Sequence, residues 1–149
     1  DVKKGVTREE MIEAGRKLKR CGILCSATLI SGLGGRQRLR EHAIASASLI
    51  SAIKPDYVGF LTLMIDPQAP VYSKIVSGEL ELLNPEDVVE EMKLFLQNVD
   101  SEGTVFRSNH ASNYVILKGT LNEDIPSMLA YLRQVEEQGK YREERWRRF

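Results

Sequence analysis

Apolar positions along the chain follow two periods, one suited to helices and one to short buried strands. Met11, Ile12, Leu18 and Cys21 form one stripe of a first helix. Thr7 opens it as N-cap with Glu10 three residues on, a capping box that satisfies two orphan backbone donors, and Gly22 supplies the left-handed stop. Residues 23–30 carry no charge and read as a strand buried on both faces, as a parallel sheet between helices requires. A flexible turn over 31–35 leads into a second helix over 38–53, with Leu39, Ala43, Ile44, Ala47 and Ile50 inward and Pro55 beyond its end. A second strand spans 57–63. A Pro-rich loop over 65–70 precedes a short helix over 71–76 stopped by Gly78. Asn84 and Pro85 open a third long helix that buries Val88, Val89, Met92, Phe95, Leu96 and Val99. A third strand covers 104–107, and a last helix from about residue 122 turns Ile125, Leu129, Leu132 and Val135 inward. The order is α-β-α-β-α-β-α: an α/β fold of about three parallel strands and four main helices, with the look of part of a (βα) barrel. Three strands make a thin sheet whose outer edges need a partner or further chain to cover them.

Composition narrows the classes. With 149 residues the chain is sized for one domain, and 42% hydrophobic against 28% charged residues argues for a packed globule. Lys+Arg 21 balances Asp+Glu 21, so the surplus cations of a general nucleic-acid binder are missing. No apolar run approaches the roughly 20 residues of a membrane helix, and no secretory signal opens the sequence. Two cysteines are no disulfide framework, which points to a reducing cytoplasm. The start on Asp1 rather than Met suggests a fragment.

Ligands of parallel α/β folds bind at the carboxyl ends of the strands, which selects residues 31–35, 64–67 and 108–113. The first is a glycine-rich turn that lets backbone approach a ligand closely, or is simply a turn; it has neither G-x-G-x-x-G spacing nor a P-loop lysine. In the third, Asn109, His110 and Asn113 crowd between apolar runs, either as a proton-carrying and hydrogen-bonding site or as a loop that satisfies its own backbone. Cys21 and Cys25 read as free thiols rather than a metal site, and His42, beside Glu41, as a solvated face residue. The tail 140–149 mixes arginines with Trp146, but glutamates interrupt it, and it reads as a packing or frayed helix end.

Four passages then carry a likeness: Lys4-Gly5-Val6-Thr7, the helix through Glu13-Ala14-Gly15, Leu29-Ile30-Ser31-Gly32-Leu33-Gly34-Gly35, and Arg107-Ser108-Asn109-His110-Ala111-Ser112-Asn113-Tyr114 followed by Leu117-Lys118-Gly119-Thr120-Leu121. Together they resemble the second half of radical S-adenosylmethionine (SAM) enzymes, in particular the Fe–S oxidoreductases grouped with oxygen-independent coproporphyrinogen oxidases. The resemblance implies the C-terminal portion of a partial (βα)6 barrel, with residues 1–100 as the barrel half and 101–149 as an extension of the same domain. It also implies a full-length parent that binds a [4Fe–4S] cluster through C-x-x-x-C-x-x-C and cleaves SAM to a 5′-deoxyadenosyl radical. The cysteine motif is missing here: Cys21 and Cys25 match only its first spacing, and Thr28 stands where a third cysteine would fall. Against the family's G-x-I-x-G-x-x-E, this chain matches at Ile30 and Gly32 and departs at Thr28 and Gly35. The likeness makes Ile30, Gly32, Gly34, Leu63 and Met64 candidate cofactor contacts, and Asn109, His110 and Asn113 candidate substrate contacts. It leaves the fragment without cluster ligands and inactive alone. The alternative is a stand-alone, non-catalytic α/β ligand-binding or interaction module, dimeric so as to cover its sheet edges. A third reading, a phosphate-binding barrel fragment, rests only on Arg36 beside the glycine turn.

Overall fold

The computed structural model describes residues 4–148. Helix α1 (Arg8–Arg20) has the expected capping box: the Thr7 N–H donates to Glu10 at 2.6 Å and the Glu10 N–H donates to Thr7 Oγ1 at 3.2 Å. Gly22, at φ +69°, follows it in the left-handed conformation that other residues avoid. Strand β1 is Ser26–Ser31, later than the expected 23–30. Its start is set by Asp56, whose carboxylate accepts the Cys25 N–H at 2.7 Å, while the Cys25 carbonyl accepts from Asp56 and Tyr57. Ile23 and Leu24 are left outside the ladder and exposed.

After a 3₁₀ turn at Arg36–Arg38 come α2 (Leu39–Ile53), β2 (Tyr57–Thr62) and the short α3 (Tyr72–Val76). Then follow α4 (Pro85–Asn98), β3 (Val105–Arg107), β4 (Lys118–Thr120) and α5 (Ile125–Gln138). Asn84 caps α4 reciprocally with Asp87. Of the expected inward faces, Ala43, Ala47 and Ile50 of α2 are buried, as are all six positions around α4, whereas Ile44 is 37% exposed. In α5, Met128 joins Leu132 and Val135 in the core, and Ile125 and Leu129 pack at its edge.

Among the described residues the sheet has four strands in the order β1-β2-β3-β4, one more than expected. β1, β2 and β3 are parallel, in the register Ser26↔Tyr57 and Tyr57↔Val105; β4 runs antiparallel to β3. The reason is length. Residues 108–117 are too few for a parallel crossover, which needs a dozen or more, so the chain can only turn back.

Strand alternation then divides the sheet into two unlike faces. Val58, Phe60 and Phe106 point to the layer of α2, α4 and α5, where Phe60, Phe95 and Phe106 meet with centroids 6.0–6.1 Å apart. Each such burial is worth about 1.5–3 kcal/mol. Helix α1 packs on α2 with its one buried residue, Gly15, against Ile53. The opposite face carries Thr28, Ile30, Tyr57, Gly59, Leu61 and Arg107 and is open: Tyr57 is 45% exposed and Ile30 37%. The expectation that β1 is buried on both sides is therefore corrected. Its apolar run reflects one core face and one face that nothing in the described chain covers.

Candidate functional site

The carboxyl ends of β1, β2 and β3 converge with the loop before α4 and the C-terminal tail. At the end of β1, Gly32 takes φ +90° and lies against Leu63, where an added Cβ would stand 3.4 Å from the Leu63 Cβ. Gly34 is tighter: a Cβ there would meet the His42 Cβ at 2.9 Å and the Arg38 carbonyl at 3.1 Å. The loop is pinned from below by Glu91, a carboxylate on α4 that is only 1% exposed. Glu91 accepts hydrogen bonds from the Ser31 hydroxyl and from the Gly32 N–H at 2.9 Å, and pairs with His42 Nδ1 at 2.5 Å. A buried carboxylate is tolerated only with such partners. This corrects the reading of His42 as a solvated face residue. Its ring closes the network under the glycine turn, and its neighbour Glu41 instead pairs with Arg38. Helical spacing put Glu91 on the buried stripe between Val88 and Phe95, and that position was the one available signal.

The ends of β2 and β3 are tied together by the polar loop. Asn113, 1% exposed, donates its amide to the Phe60 carbonyl at 2.6 Å and accepts from the Thr62 hydroxyl at 3.0 Å. Ser108 bonds across the loop to Val115 and Leu117. His110 is exposed, with Nδ1 accepting from the Ser112 N–H at 3.2 Å, and Asn109 is exposed beside it. Among the candidate cofactor contacts, Gly32 and Leu63 are brought together, with Met64 next along the chain. Ile30 sits one residue before the mouth with its side chain on the open face of the sheet.

The tail is the feature that sequence reasoning placed least well. After Gly139 ends α5 at φ +60°, residues 140–148 run back over the strand ends, with one 3₁₀ turn at Glu144–Trp146. Arg142 donates to the His110 and Ala111 carbonyls. Arg147 is buried at 7% exposure. Its Nε donates to the Ser112 carbonyl at 2.7 Å, its Nη1 to the Tyr114 hydroxyl at 2.5 Å and to the Glu144 carboxylate, and its Nη2 to the Leu63 carbonyl at 3.3 Å. The guanidinium lies 4.0 Å over the Tyr114 ring. Burial, then the hydrogen bond to Glu144, pushes the Tyr114 hydroxyl up to about 12. For Glu144 burial acts upward, but Arg147 and Tyr114 together hold its carboxyl below the ordinary value. Beneath the tail lies a cavity of about 230 Å³, lined in part by Ser31, Gly32, Leu63, Leu83, Tyr114 and Arg147.

Among the described residues, no three His, Cys, Asp or Glu side chains stand together as a metal site. Cys21 is exposed and Cys25 buried, both free, so they do not fit an Fe–S cluster, which is held by several converging thiolates. Among the same residues no helix is long and apolar enough to cross a membrane. Compared with known proteins, the chain matches no family model, no curated protein and no solved structure. The geometry by itself offers a backbone cradle at the end of β1, apolar contacts from β2 and one buried cation, a set suited to holding a small molecule rather than to proton transfer.

Proposed function

We propose that this chain is the C-terminal portion of a radical SAM Fe–S oxidoreductase, resembling the oxygen-independent coproporphyrinogen oxidase-like group. In this reading β1, β2 and β3 are consecutive strands of a partial barrel, and their open face is part of its inner wall. Gly32, Gly34, Leu63 and Met64, with Ile30 on the wall below, contact the adenosyl portion of SAM. Asn109 and His110 face the substrate, and Asn113 holds their loop to β2. The observation that carries the reading is the one-sided sheet: three parallel strands with helices on one face, an apolar and polar wall on the other, and a glycine turn at the mouth. The cluster that cleaves SAM in such enzymes needs thiolates from outside these residues, since Cys21 and Cys25 do not fit it. The chain's own part is to shape the pocket and exclude water, in the reducing cytoplasm that its free thiols suit.

The test begins with the natural coding sequence 5′ of Asp1. A strand followed by C-x-x-x-C-x-x-C is expected there, and anaerobic reconstitution of that full protein with iron, sulfide and SAM is expected to yield 5′-deoxyadenosine. A complete coding sequence without the three cysteines overturns the reading. The open outer edge of β1 favours one other class, a non-catalytic α/β module that pairs with a second copy through that edge. It predicts a start codon close to Asp1 and a stable dimer.

A further inference from the structure

We infer that the cavity under the C-terminal tail is a binding site for a small aliphatic monocarboxylate, with Arg147 as its anion contact and Glu144 as an internal stand-in for the ligand's carboxylate. Three observations carry this. First, Arg147 is a buried cation in the wall of a cavity at the carboxyl ends of parallel strands, where α/β folds bind ligands. Its Nη1 gives a carboxylate a charge-assisted hydrogen bond, as it now does to Glu144. Second, the carboxylate that now takes Nη1 comes from the solvent side. Glu144 accepts from Nη1 with both oxygens at 2.7 and 2.8 Å, yet its side chain is 69% exposed, while that of Arg147 is 5% exposed. Such a half-exposed pair is worth little, so the cation is buried more firmly than the anion that neutralises it. Nε and Nη2 are tied to the Ser112 and Leu63 carbonyls, which holds the guanidinium whether or not Glu144 stays.

Third, the rest of the cavity suits a short apolar body behind one charge. Leu63, Leu82 and Leu83 form its walls, Ser31 and Thr62 turn their hydroxyls to Glu91 and Asn113, and the volume of about 230 Å³ lies below that of drug-sized sites. A monoanion replaces the charge of Glu144 one for one. A phosphate dianion would add charge beside a displaced Glu144. The cavity shares Gly32 and Leu63 with the proposed adenosyl contacts, but its anion contact at Arg147 lies outside that set and is tested on anion binding alone.

The test is titration of butyrate into the isotopically labelled 149-residue chain, followed by NMR at Arg147 Nε–H and at the Gly32 and Leu63 amides, with butyramide and inorganic phosphate as separate arms. Butyrate is expected to shift these signals saturably, and butyramide not to. Glu144→Gln removes the internal competitor, keeps the fold and is expected to tighten butyrate roughly two- to fivefold. Arg147→Lys is expected to abolish the response. Equal responses to butyrate and butyramide, tighter binding of phosphate, or no tightening in Glu144→Gln overturns the proposal, and the last of these holds even if Arg147→Lys does not fold.

Discussion

At the residue scale the organising group is Glu91. Its carboxylate serves a hydroxyl and a backbone N–H of the turn after β1 and an imidazole on α2, so it converts a flexible Ser31-Gly32 turn into a fixed one. Removing it leaves a buried donor on Gly32, a hydroxyl on Ser31 and a His42 ring without their acceptor. Each orphaned buried group costs about 1–3 kcal/mol, and loss of one partner of a buried pair about 3–5 kcal/mol. Glu91→Ala is therefore expected to destabilise the chain by roughly 3–5 kcal/mol in urea unfolding, and Glu91→Gln by less, because its amide oxygen still accepts from Gly32. Amide exchange at Gly32 should rise in both variants. Wild-type protection at Gly32 in Glu91→Ala would show that the turn holds itself.

At the element scale, α1 is attached through a contact only glycine permits. A Cβ on Gly15 would stand 2.5 Å from Ile53 Cγ2. In an exposed helix Gly→Ala gains about 0.5–1 kcal/mol; here overpacking of about 1–3 kcal/mol outweighs it. Gly15→Ala should lower the urea midpoint, and the same change in an Ile53→Ala background should raise it. The sequence's legibility divides along the same line between local and tertiary causes. The caps at Thr7 and Asn84, the stripe of α4 and the stop at Gly22 are written locally and were readable. The start of β1 was not, because Asp56, 31 residues beyond Cys25 in the chain, fixes it through the Cys25 N–H. Nor was the sense of β4: a run of apolar residues after Asn113 says nothing about which way the chain returns. The strand-end loops were legible as candidate sites, since parallel order alone selects them. Glu91 gave one sign, its place on the stripe of α4, whereas His42 and Arg147 gave none, because each looks like an ordinary surface group until the tertiary fold packs it.

At the scale of the whole molecule, the sheet is finished on one side and unfinished on the other. β4 closes the outer edge of β3 with antiparallel pairing, while among the described residues β1 leaves a parallel edge unpaired and its face open. Under the barrel reading further strands add at β1 and curl over that face, so the two faces of one sheet should respond oppositely to substitution. Phe60→Ala empties part of the Phe60–Phe95–Phe106 cluster and should cost about 3–5 kcal/mol with or without the rest of a barrel. Ile30→Lys places a charge on the open face. In the 149-residue chain it should stay within about 0.5 kcal/mol of wild type, because the ammonium remains in water. In the full-length protein the same lysine would face a closed wall and forfeit its hydration, so stability should fall by several kcal/mol and 5′-deoxyadenosine formation should be lost. Equal tolerance of Ile30→Lys in both contexts, measured by the same unfolding experiment, would mean that no further strands cover this face, and the barrel reading would fall with it.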